Sequence, residues 1–348
     1  MTSIVEKDYE LVFYLEWICA GFIGSHLVDK LLERSLGKVI IIDNFNDYYS
    51  PATKHRNISL LKHRYAQKVY ENDFITINGS IGDTELLKQI FQKYSITHIA
   101  HLAAMAGVRS SMQQTRTYID ANFVGTQNLL QLAVEYKVEL FVFASTSSVY
   151  GQTDNVPFIE TDACDRPLSA YSASKRSAEL LAHVYYNLYG LNISILRLFN
   201  VYGPRGRPDM MPYKLMKACY EQQHIIDVYD HGKMKRDWTY IDDVVDGLIS
   251  SLARPLGYEI LNIGYGQPLE LNEFIKHIET LSGKTIQKRF QKSTPSEPSI
   301  TYCDNTKAKK LLDFNPKTNI KDGLAKMWKW FQEEYENGGV KTFESNKG

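Results

Sequence analysis

The sequence predicts an α/β fold, in which helices cover both faces of a doubly wound parallel sheet and a smaller mixed α/β lobe follows. Two observations support this prediction. Short apolar, β-branched runs alternate with helical patterns over the first two hundred residues, as in a parallel sheet with crossover helices. After Gly203 this alternation gives way to Pro- and Tyr-rich segments. The 348 residues are enough for one large domain or two closely packed ones.

The predicted strands follow one another along the chain as LVFYL (11–15), KVIIID (38–43), THIAHLAA (97–104), LFVFAST (140–146), ISILRLFNVYG (193–203) and YEILNIGYG (258–266). Helical patterns such as DTELLKQIFQKY (83–94) and GTQNLLQLAVEY (125–136) lie between them. We therefore predict a sheet domain over 1–199 with a return strand near 236–268. The second lobe comprises 200–235 and 269–337, and a charged tail over 338–348 is expected to fray.

Composition excludes several classes of protein. Forty basic residues balance forty acidic ones, so no overall field favours nucleic acid or a membrane surface. The four cysteines form no CxxC pair and the nine histidines show no HxxxH spacing, so neither disulfides nor a metal site are predicted. The apolar run near the N-terminus is interrupted by Glu16 and is too short to span a bilayer. We expect a cytoplasmic protein without nucleic-acid, membrane or metal partners.

The segment EWICAGFIGSHLVDKLL (16–32) resembles a strand, turn and helix that bind a dinucleotide. Gly21 and Gly24 allow close approach of a pyrophosphate and close helix packing, although Ile18 stands where a first glycine is usual. Asp43 ends the next strand, where its carboxylate can accept both adenosine ribose hydroxyls and repel a 2′-phosphate. The pattern favours NAD over NADP. A tight turn and a strand-end cap are the alternative interpretations.

The segment AYSASK places Tyr171 and Lys175 four residues apart, on one face of a helix. A nearby ammonium favours the phenolate, so the pair can act as a general base near neutral pH. Thr146, Ser147 and Ser148 follow an apolar strand, where doubly wound sheets bind their ligands. The alternatives are a partly buried surface pair and ordinary turn-capping hydroxyls.

These motifs resemble the extended short-chain dehydrogenases/reductases that act on nucleotide sugars, and most of all the UDP-glucuronate 4-epimerases. The similarity runs from Ala20 to about Tyr335. Its segments are AGFIGSHLVDKLL, DNFNDYYSP, HLAAMAGVR, ANFVGTQNLL, ASTSSVYG, YSASK, VYGPRGRPDM, IDVYDHGKMKRDWTYIDDVVDG and LNIGYGQP.

The resemblance implies a Rossmann domain that binds NAD and an enzyme that inverts C4 of a UDP-sugar through a 4-keto intermediate. Tyr171 would take the proton of the 4-hydroxyl, Lys175 would hold the nicotinamide ribose and lower the tyrosine pKa, and Thr146 would bond the 4-oxygen. The implied NAD contacts are Gly21, Phe22, Ile23, Gly24, Asp43, Asn44, Ile81, Leu102, Ala103, Ala104, Asn122, Tyr171 and Lys175.

The resemblance also implies a set of substrate contacts, which are Thr146, Ser147, Ser148, Arg109, Asn200, Arg207 and Arg236. Arg207 is expected to clamp the sugar carboxylate with its guanidinium fork, and Arg236 to bind the UDP pyrophosphate. Asn200 would contact the nucleotide sugar, and Arg109 would join either anion site.

The serines of this set indicate the reaction. Related dehydratases carry Asp-Glu at the positions of Ser147 and Ser148, and related decarboxylases carry Glu at the second. Neither carboxylate is present here, which favours epimerisation. The family also implies a homodimer through helices within 125–138 and 174–190, whose apolar stripes could instead pack on the sheet.

The chain departs from the family pattern at three places. Trp17, Ile18 and Cys19 stand before AGFIG where the family turn usually reads TGG, so Ile18 replaces a glycine. Ser80 replaces an aspartate that contacts adenine, and Asn200 replaces the usual threonine. Asn200 keeps open a 4-epimerase of a neutral UDP-hexose, such as UDP-glucose or UDP-N-acetylglucosamine. Ile18 and Ser80 keep open a non-catalytic nucleotide-binding relative with an impaired NAD site. The intact Thr146, Tyr171 and Lys175 favour an enzyme.

Overall fold

The computed structural model describes residues 12–16, 20–69, 73–153, 155–222, 224–292 and 298–336. Ile18 and the predicted tail (338–348) lie outside these ranges. The strands are β1 Val12–Glu16, β2 Lys38–Asp43, β3 Phe74–Asn78, β4 His98–His101, β5 Leu140–Thr146, β6 Ile193–Leu198, β7 Asn200–Tyr202, β8 Ile226–Tyr229, β9 Lys235–Tyr240, β10 Tyr258–Ile263, β11 Pro268–Glu270, β12 Lys288–Gln291 and β13 Ile300–Thr301.

The α-helices are α1 Phe22–Glu33, α2 Pro51–Tyr65, α3 Thr84–Lys93, α4 Val108–Ser111, α5 Thr115–Ile119, α6 Gly125–Glu135, α7 Ala170–Tyr189, α8 Met211–Glu221, α9 Ile241–Leu252, α10 Leu271–Ser282, α11 Thr306–Leu312 and α12 Ile320–Glu336. A short π-helix over Asp120–Val124 joins α5 to α6. No helix within the described ranges is long and apolar enough to cross a membrane.

The main sheet has seven parallel strands in the order β10-β6-β5-β4-β1-β2-β3. This arrangement confirms the predicted doubly wound parallel sheet. The strand order reverses between β1 and β4. In such sheets the ligand lies outside the carboxyl ends of the strands at this reversal. The strand order alone therefore predicts a binding site at the carboxyl ends of β1 and β4.

Helices cover both faces of this sheet. Along β2, Val39 and Ile41 pack into one hydrophobic cluster with α1 and α9, whereas Ile40 and Ile42 pack into the other with α6 and α7. Successive side chains of a strand point to opposite faces, so a strand covered on both sides must be apolar throughout. The unbroken run KVIIID follows from this double burial.

The structure corrects one predicted strand and adds another. The run 193–203 is two strands: β6 joins the main sheet, whereas β7 pairs with β9 in a second sheet that also contains β11 and β13. Within the predicted return segment, β10 joins the main sheet and β9 does not. The edge strand β3 was not among the predicted strands, because an edge position leaves it half-buried and less apolar.

The C-terminal elements pack on the sheet domain through a continuous core. Phe331 of α12 contacts the rings of Tyr213 and Tyr220 from α8, and its cluster includes Leu27 and Leu31 of α1. The division at residues 199 and 200 into two lobes stays a prediction, since one hydrophobic core runs across it.

Candidate active site

A cavity of about 240 Å³ lies where the carboxyl ends of β4, β5 and β6 meet the start of α1. Eleven predicted site residues line it, drawn from segments far apart in the sequence. They are Phe22, Ile23, Leu102, Ala104, Thr146, Ser147, Ser148, Tyr171, Lys175, Asn200 and Arg207. The fold therefore brings the predicted hydroxyl, tyrosine and lysine groups to one place together with an arginine.

Lys175 extends into this cavity from the first turns of α7. A reciprocal capping box between Ser169 and Ser172 fixes the start of that helix. The Lys175 Nζ atom lies 4.0 Å from the centroid of the Phe143 ring and is buried without a hydrogen-bond partner in the described structure. Burial lowers the pKa of Lys175 to about 7, although the negative charge of Glu179 acts in the opposite direction.

Tyr171 lies on the same face of α7 and is hydrogen-bonded to Thr146. Burial raises the tyrosine pKa, and the groups that act against this rise are the Thr146 hydroxyl and the positive charge of Arg207. Lys175 is not among the groups that shift the Tyr171 pKa here, so the expected lowering by this lysine stays a prediction. Removal of the phenol from water outweighs the nearby hydrogen bond and charge.

Glu179, two turns after Tyr171, connects the strands beneath the site. This carboxylate is fully buried and accepts a hydrogen bond from the Ser145 hydroxyl of β5 at 2.5 Å. It also accepts two from Arg197 of β6, from Nη2 at 2.8 Å and from Nε at 3.1 Å. Arg197 is fully buried as well, so the two charges neutralise each other away from water. Ser145 immediately precedes Thr146, so the ion pair holds β5, β6 and α7 in register at the site.

Arg207 enters the cavity from the loop between β7 and α8. Its Nε donates to Asp209 Oδ1 at 2.9 Å and its Nη2 to Oδ2 at 2.7 Å. The Tyr48 hydroxyl donates to the same carboxylate at 3.2 Å. One edge of the guanidinium is thus held by a bidentate pair, which fixes its orientation. Asp209 and Tyr48 were missed, although both lie in segments that carry the family resemblance.

A second cavity of about 250 Å³ shares Val108, Ser147, Ser148 and Asn200 with the first and continues it towards Arg236. The predicted pyrophosphate ligand Arg236 therefore lies beside the cavity that holds Tyr171. Arg109 lines neither cavity: its side chain is exposed and its guanidinium stacks on the Tyr229 ring at 4.1 Å. The structure does not bring Arg109 to the predicted anion sites.

Asp43 ends β2 fully buried and forms an ion pair with Lys54, whose Nζ lies 3.2 Å from Oδ1. The amide of Phe45 donates to Oδ1 at 2.7 Å and that of Ala20 to Oδ2 at 3.3 Å. Burial raises the Asp43 pKa, while the Lys54 charge acts against that rise. Lys54 was not predicted, because nothing in the spacing of PATK points to the second strand.

The other predicted NAD residues lie around the same sheet edge but do not line the cavity. Gly21 is the N-cap of α1, and no side chain caps this helix terminus. Asn122 lies in the π-helix and bonds Met105 through both amide atoms, at 2.7 and 3.0 Å. The remaining members are the buried Gly24, Ile81 and Ala103 and the half-buried Asn44.

Ser80 stands where the family has an aspartate, and its hydroxyl is bonded within its own loop. Its Oγ accepts a hydrogen bond from the Gly82 amide at 3.1 Å. Among the residues described, no group of three or more His, Cys, Asp or Glu side chains is placed to hold a metal ion.

The reversal in strand order, the glycine turn before α1 and the Tyr171–Lys175 pair at the carboxyl ends of the strands define an extended short-chain dehydrogenase/reductase. A family model described as GDP-mannose 4,6 dehydratase matches residues 19–327, and the chain belongs to this family. The resemblance predicted from the motifs is thereby confirmed.

Individual relatives cover nearly the whole chain. A UDP-glucuronate 4-epimerase of Thermodesulfobacterium geofontis is 42% identical over 93% of this chain and 97% of its own length. The structure of a UDP-glucuronic acid 4-epimerase from Bacillus cereus, in complex with UDP-glucuronic acid and NAD, is 35% identical with a TM-score of 0.84, covering 93% and 100% of the two chains. A UDP-glucose 4-epimerase from Thermotoga maritima, with UDP-glucose, is 28% identical with a TM-score of 0.83 over the same shares.

Proposed function

We propose that this protein interconverts UDP-glucuronate and UDP-galacturonate by NAD-dependent epimerisation at C4. The observation that carries this proposal is the cavity in which Arg207 stands near Tyr171, Thr146 and Lys175. One part of the cavity can exchange a proton with a sugar hydroxyl, and another can bind a carboxylate. The relatives with UDP-glucuronate activity support the same substrate.

The residues present fit NAD. The buried Lys175 Nζ has three donors and no partner among the described residues, which suits a polar ligand such as a ribose diol. The N-terminus of α1 begins at Gly21 without a side-chain cap, so its amides can receive a pyrophosphate. Asp43 lies at the end of β2, where a dinucleotide ribose binds in this fold. When bound, NAD supplies the acceptance and return of hydride at C4.

Tyr171 acts as the general base and acid of this proposal. Its phenolate takes the proton of the sugar 4-hydroxyl as the carbonyl forms and returns a proton when the carbonyl is reduced on its other face. Thr146, hydrogen-bonded to Tyr171, holds the 4-oxygen beside the phenol. The proton and the hydride both return to the sugar, so the reaction has no net redox change.

Arg207 holds the sugar carboxylate through the guanidinium edge that Asp209 does not use. The 4-keto form of a glucuronate is a β-keto acid, which loses CO₂ when its C5–C6 bond stands perpendicular to the carbonyl plane. A carboxylate held in one orientation keeps that bond away from this alignment, so Arg207 protects the intermediate as well as selecting the substrate.

The lining of the cavity favours epimerisation over the elimination reactions of the family. None of the described residues that line it is Asp or Glu. Loss of water requires an acid and a base in addition to the tyrosine. The hydroxyls of Ser147 and Ser148 can position a sugar, but they do not supply those groups.

The test is incubation of the purified protein with UDP-glucuronate, with and without added NAD, followed by chromatography of the nucleotide sugars. UDP-galacturonate is the expected product. Tyr171→Phe, which lacks only the phenolic oxygen, should lose about 10²–10⁴-fold in turnover, as expected for a general base. A UDP-pentose or a 4-keto-6-deoxy sugar as the main product contradicts the proposal.

A second candidate is a 4-epimerase of a neutral UDP-hexose, which Asn200 favours because its uncharged amide lines both cavities. Measuring kcat/KM for UDP-glucuronate and for UDP-glucose distinguishes the two candidate functions. A higher value for UDP-glucose selects the second. No product from either sugar, with no NAD binding by calorimetry, leaves the non-catalytic nucleotide-binding relative.

We propose that the protein acts as a homodimer in the cytoplasm. Leu180, Val184 and Leu188 form an exposed apolar stripe along α7, at spacing four, opposite the face that packs on the sheet. Such a stripe suits pairing with the same stripe of a second copy about a two-fold axis. The described cysteines, Cys164, Cys219 and Cys303, are free thiols, which suits a reducing compartment.

A further inference from the structure

The loop between β7 and α8, Gly203–Met210, carries two arginines that serve different sites. Arg207 lines the cavity with Tyr171. Arg205, two residues earlier, instead lies with His26 and Asp29 on the outer side of α1, in a separate cavity of about 520 Å³. The catalytic scheme uses the first arginine and leaves the second unexplained.

Arg205 bonds three residues of α1, Ser25, His26 and Asp29. Its Nη1 donates to the Ser25 carbonyl at 3.2 Å, and its Nη2 donates to Asp29 Oδ2 at 2.9 Å and to His26 Nδ1 at 3.1 Å. His26 Nε2 lies 2.9 Å from the carbonyl of Pro204. A neutral imidazole protonated at Nε2 satisfies both His26 contacts, and burial together with the Arg205 charge holds the His26 pKa well below its usual range.

The backbone of the loop depends on these contacts. Arg205 has φ +59°, a left-handed conformation that is unfavourable for a residue with a Cβ. Strained conformations of this kind persist where the surroundings fix them. Here the surroundings are the bonds of the Arg205 side chain to α1, which hold the turn that directs Arg207 towards the cavity.

The same helix that anchors the loop also forms the cavity. Phe22 and Ile23, in the first turn of α1, line the cavity beside Arg207, and Asp29 lies two turns further along. Contacts from Arg205 to α1 therefore set the position of Arg207 relative to the helix whose N-terminus suits the dinucleotide. A binding group held by packed, hydrogen-bonded supports keeps the geometry that recognition requires.

We propose that Arg205 is a positioning residue, which anchors the loop on α1 so that Arg207 distinguishes a uronate from a neutral hexose. This inference rests on the carboxylate role of Arg207 in the proposed function. Arg205 itself touches neither sugar nor cofactor in this scheme.

Arg64 provides a matched control. It lies on α2 and donates to both oxygens of Asp29 at 2.7 and 2.8 Å. Arg64 thus shares the Asp29 carboxylate with Arg205 but has no bond to the loop among its described contacts. Arg64→Ala removes one positive charge from Asp29 and leaves the anchor in place.

The experiment measures the Kd of UDP-glucuronate and of UDP-glucose on the NAD-loaded protein by calorimetry, with kcat and KM for turnover. Arg205→Ala should raise the Kd and KM for UDP-glucuronate about tenfold and change the Kd for UDP-glucose less than about twofold, since misplacing a clamp affects only the group it binds. Arg205→Lys, which can still reach Asp29, should recover most of the difference. Arg64→Ala should leave the ratio of the two Kd values unchanged.

Equal losses for both nucleotide sugars, or no loss with Arg205→Ala, would overturn the inference. If Arg205→Ala does not fold, Arg205→Gln keeps the side-chain length without the charge and should show the same selective loss. Arg207→Ala belongs in the same series. If Arg207→Ala changes both sugars equally, the carboxylate role in the proposed function fails; if it is selective and Arg205→Ala is not, only this inference fails.

Discussion

The ion pair of Asp43 and Lys54 lies at the end of β2, where the dinucleotide ribose is predicted to bind. Both side chains are at most 2% exposed, so neither charge is screened by water. The carboxylate opposes a 2′-phosphate, whereas the lysine alone would attract one. We propose that the balance between these two charges sets the choice between NAD and NADP.

Asp43→Asn removes the negative charge with little change in shape. We expect NAD to bind about tenfold more weakly, because hydrogen bonds to a charged acceptor are the stronger ones. The affinity for NADP relative to NAD should rise, since Lys54 then stands without its counter-charge. Calorimetry with both dinucleotides measures this ratio. Adding Lys54→Met should abolish the gain, and an unchanged ratio in Asp43→Asn would contradict the prediction.

Lys175 makes the stability of the protein depend on pH. Its pKa is lowered to about 7 by burial, whereas an unfolded chain has a lysine pKa of about 10.4. Between these pH values the unfolded chain binds a proton that the folded protein does not. The free energy of unfolding therefore rises with pH as the cost of burying this group falls. Below pH 7 the folded protein bears the full cost of a buried ammonium.

Lys175→Met should therefore be more stable than the wild type at pH 6, by a few kcal/mol at most, and the difference should shrink by pH 9. Urea unfolding of the NAD-free proteins at the two pH values measures it. Lys88→Met, on the exposed surface of α3, is the control and should show no such trend. If the difference in the free energy of unfolding between wild type and Lys175→Met is the same at both pH values, the lowered pKa of Lys175 is contradicted.

At the scale of elements, α7 has one face that is buried against the sheet and one apolar face that is exposed. Ala178 and Ala182 pack on the sheet, whereas Leu180, Val184 and Leu188 stay exposed. The apolar residues of α6, such as Leu129 and Leu130, are buried in the molecule. Of the two helices predicted for dimerisation, α7 therefore presents the larger unpaired apolar surface.

Val184→Glu with Leu188→Glu should convert the proposed homodimer into a monomer, because two charges would face their own copies across a two-fold axis. Size-exclusion chromatography with light scattering measures the mass. Leu281→Glu, at another exposed apolar position on α10, should leave the mass unchanged. A double variant that remains a dimer would place the contact elsewhere.

Some elements escaped prediction because they depend on distant partners. The run 193–203 reads as one apolar strand, yet the chain leaves the main sheet at Phe199 and β7 pairs with β9. The π-helix at Asn122 is likewise stabilised by bonds to Met105, seventeen residues away. Local periodicity carries no information on which neighbouring strand or loop receives a segment.

At the scale of the whole molecule, Phe331 connects the C-terminal helix to the main core. Its side chain is fully buried and packs against Tyr213, Tyr220 and Tyr335. The same cluster extends to α1 and the sheet. A core shared in this way should make the two lobes unfold together.

Phe331→Ala should cost about 3–5 kcal/mol, as expected for removing a buried phenylalanine ring. The thermal transition of the NAD-free protein should move to lower temperature and stay single by calorimetry. Phe290→Ala, whose ring is half exposed, should change stability little. Two separate transitions in the Phe331 variant would show that the lobes unfold independently.

The sequence by itself determined the parallel sheet, the order of most strands along the chain and the placement of Tyr171 and Lys175 on one face of a helix. These features follow from apolar periodicity and from spacing on one helix, which are local, whereas the grouping of Thr146 with this pair was implied by the family resemblance. Only the tertiary structure decided that Asp209 holds Arg207, that Lys54 meets Asp43, and that burial raises the Tyr171 pKa. Charge pairing and removal from water depend on residues brought together by folding, so no short segment of the chain specifies them.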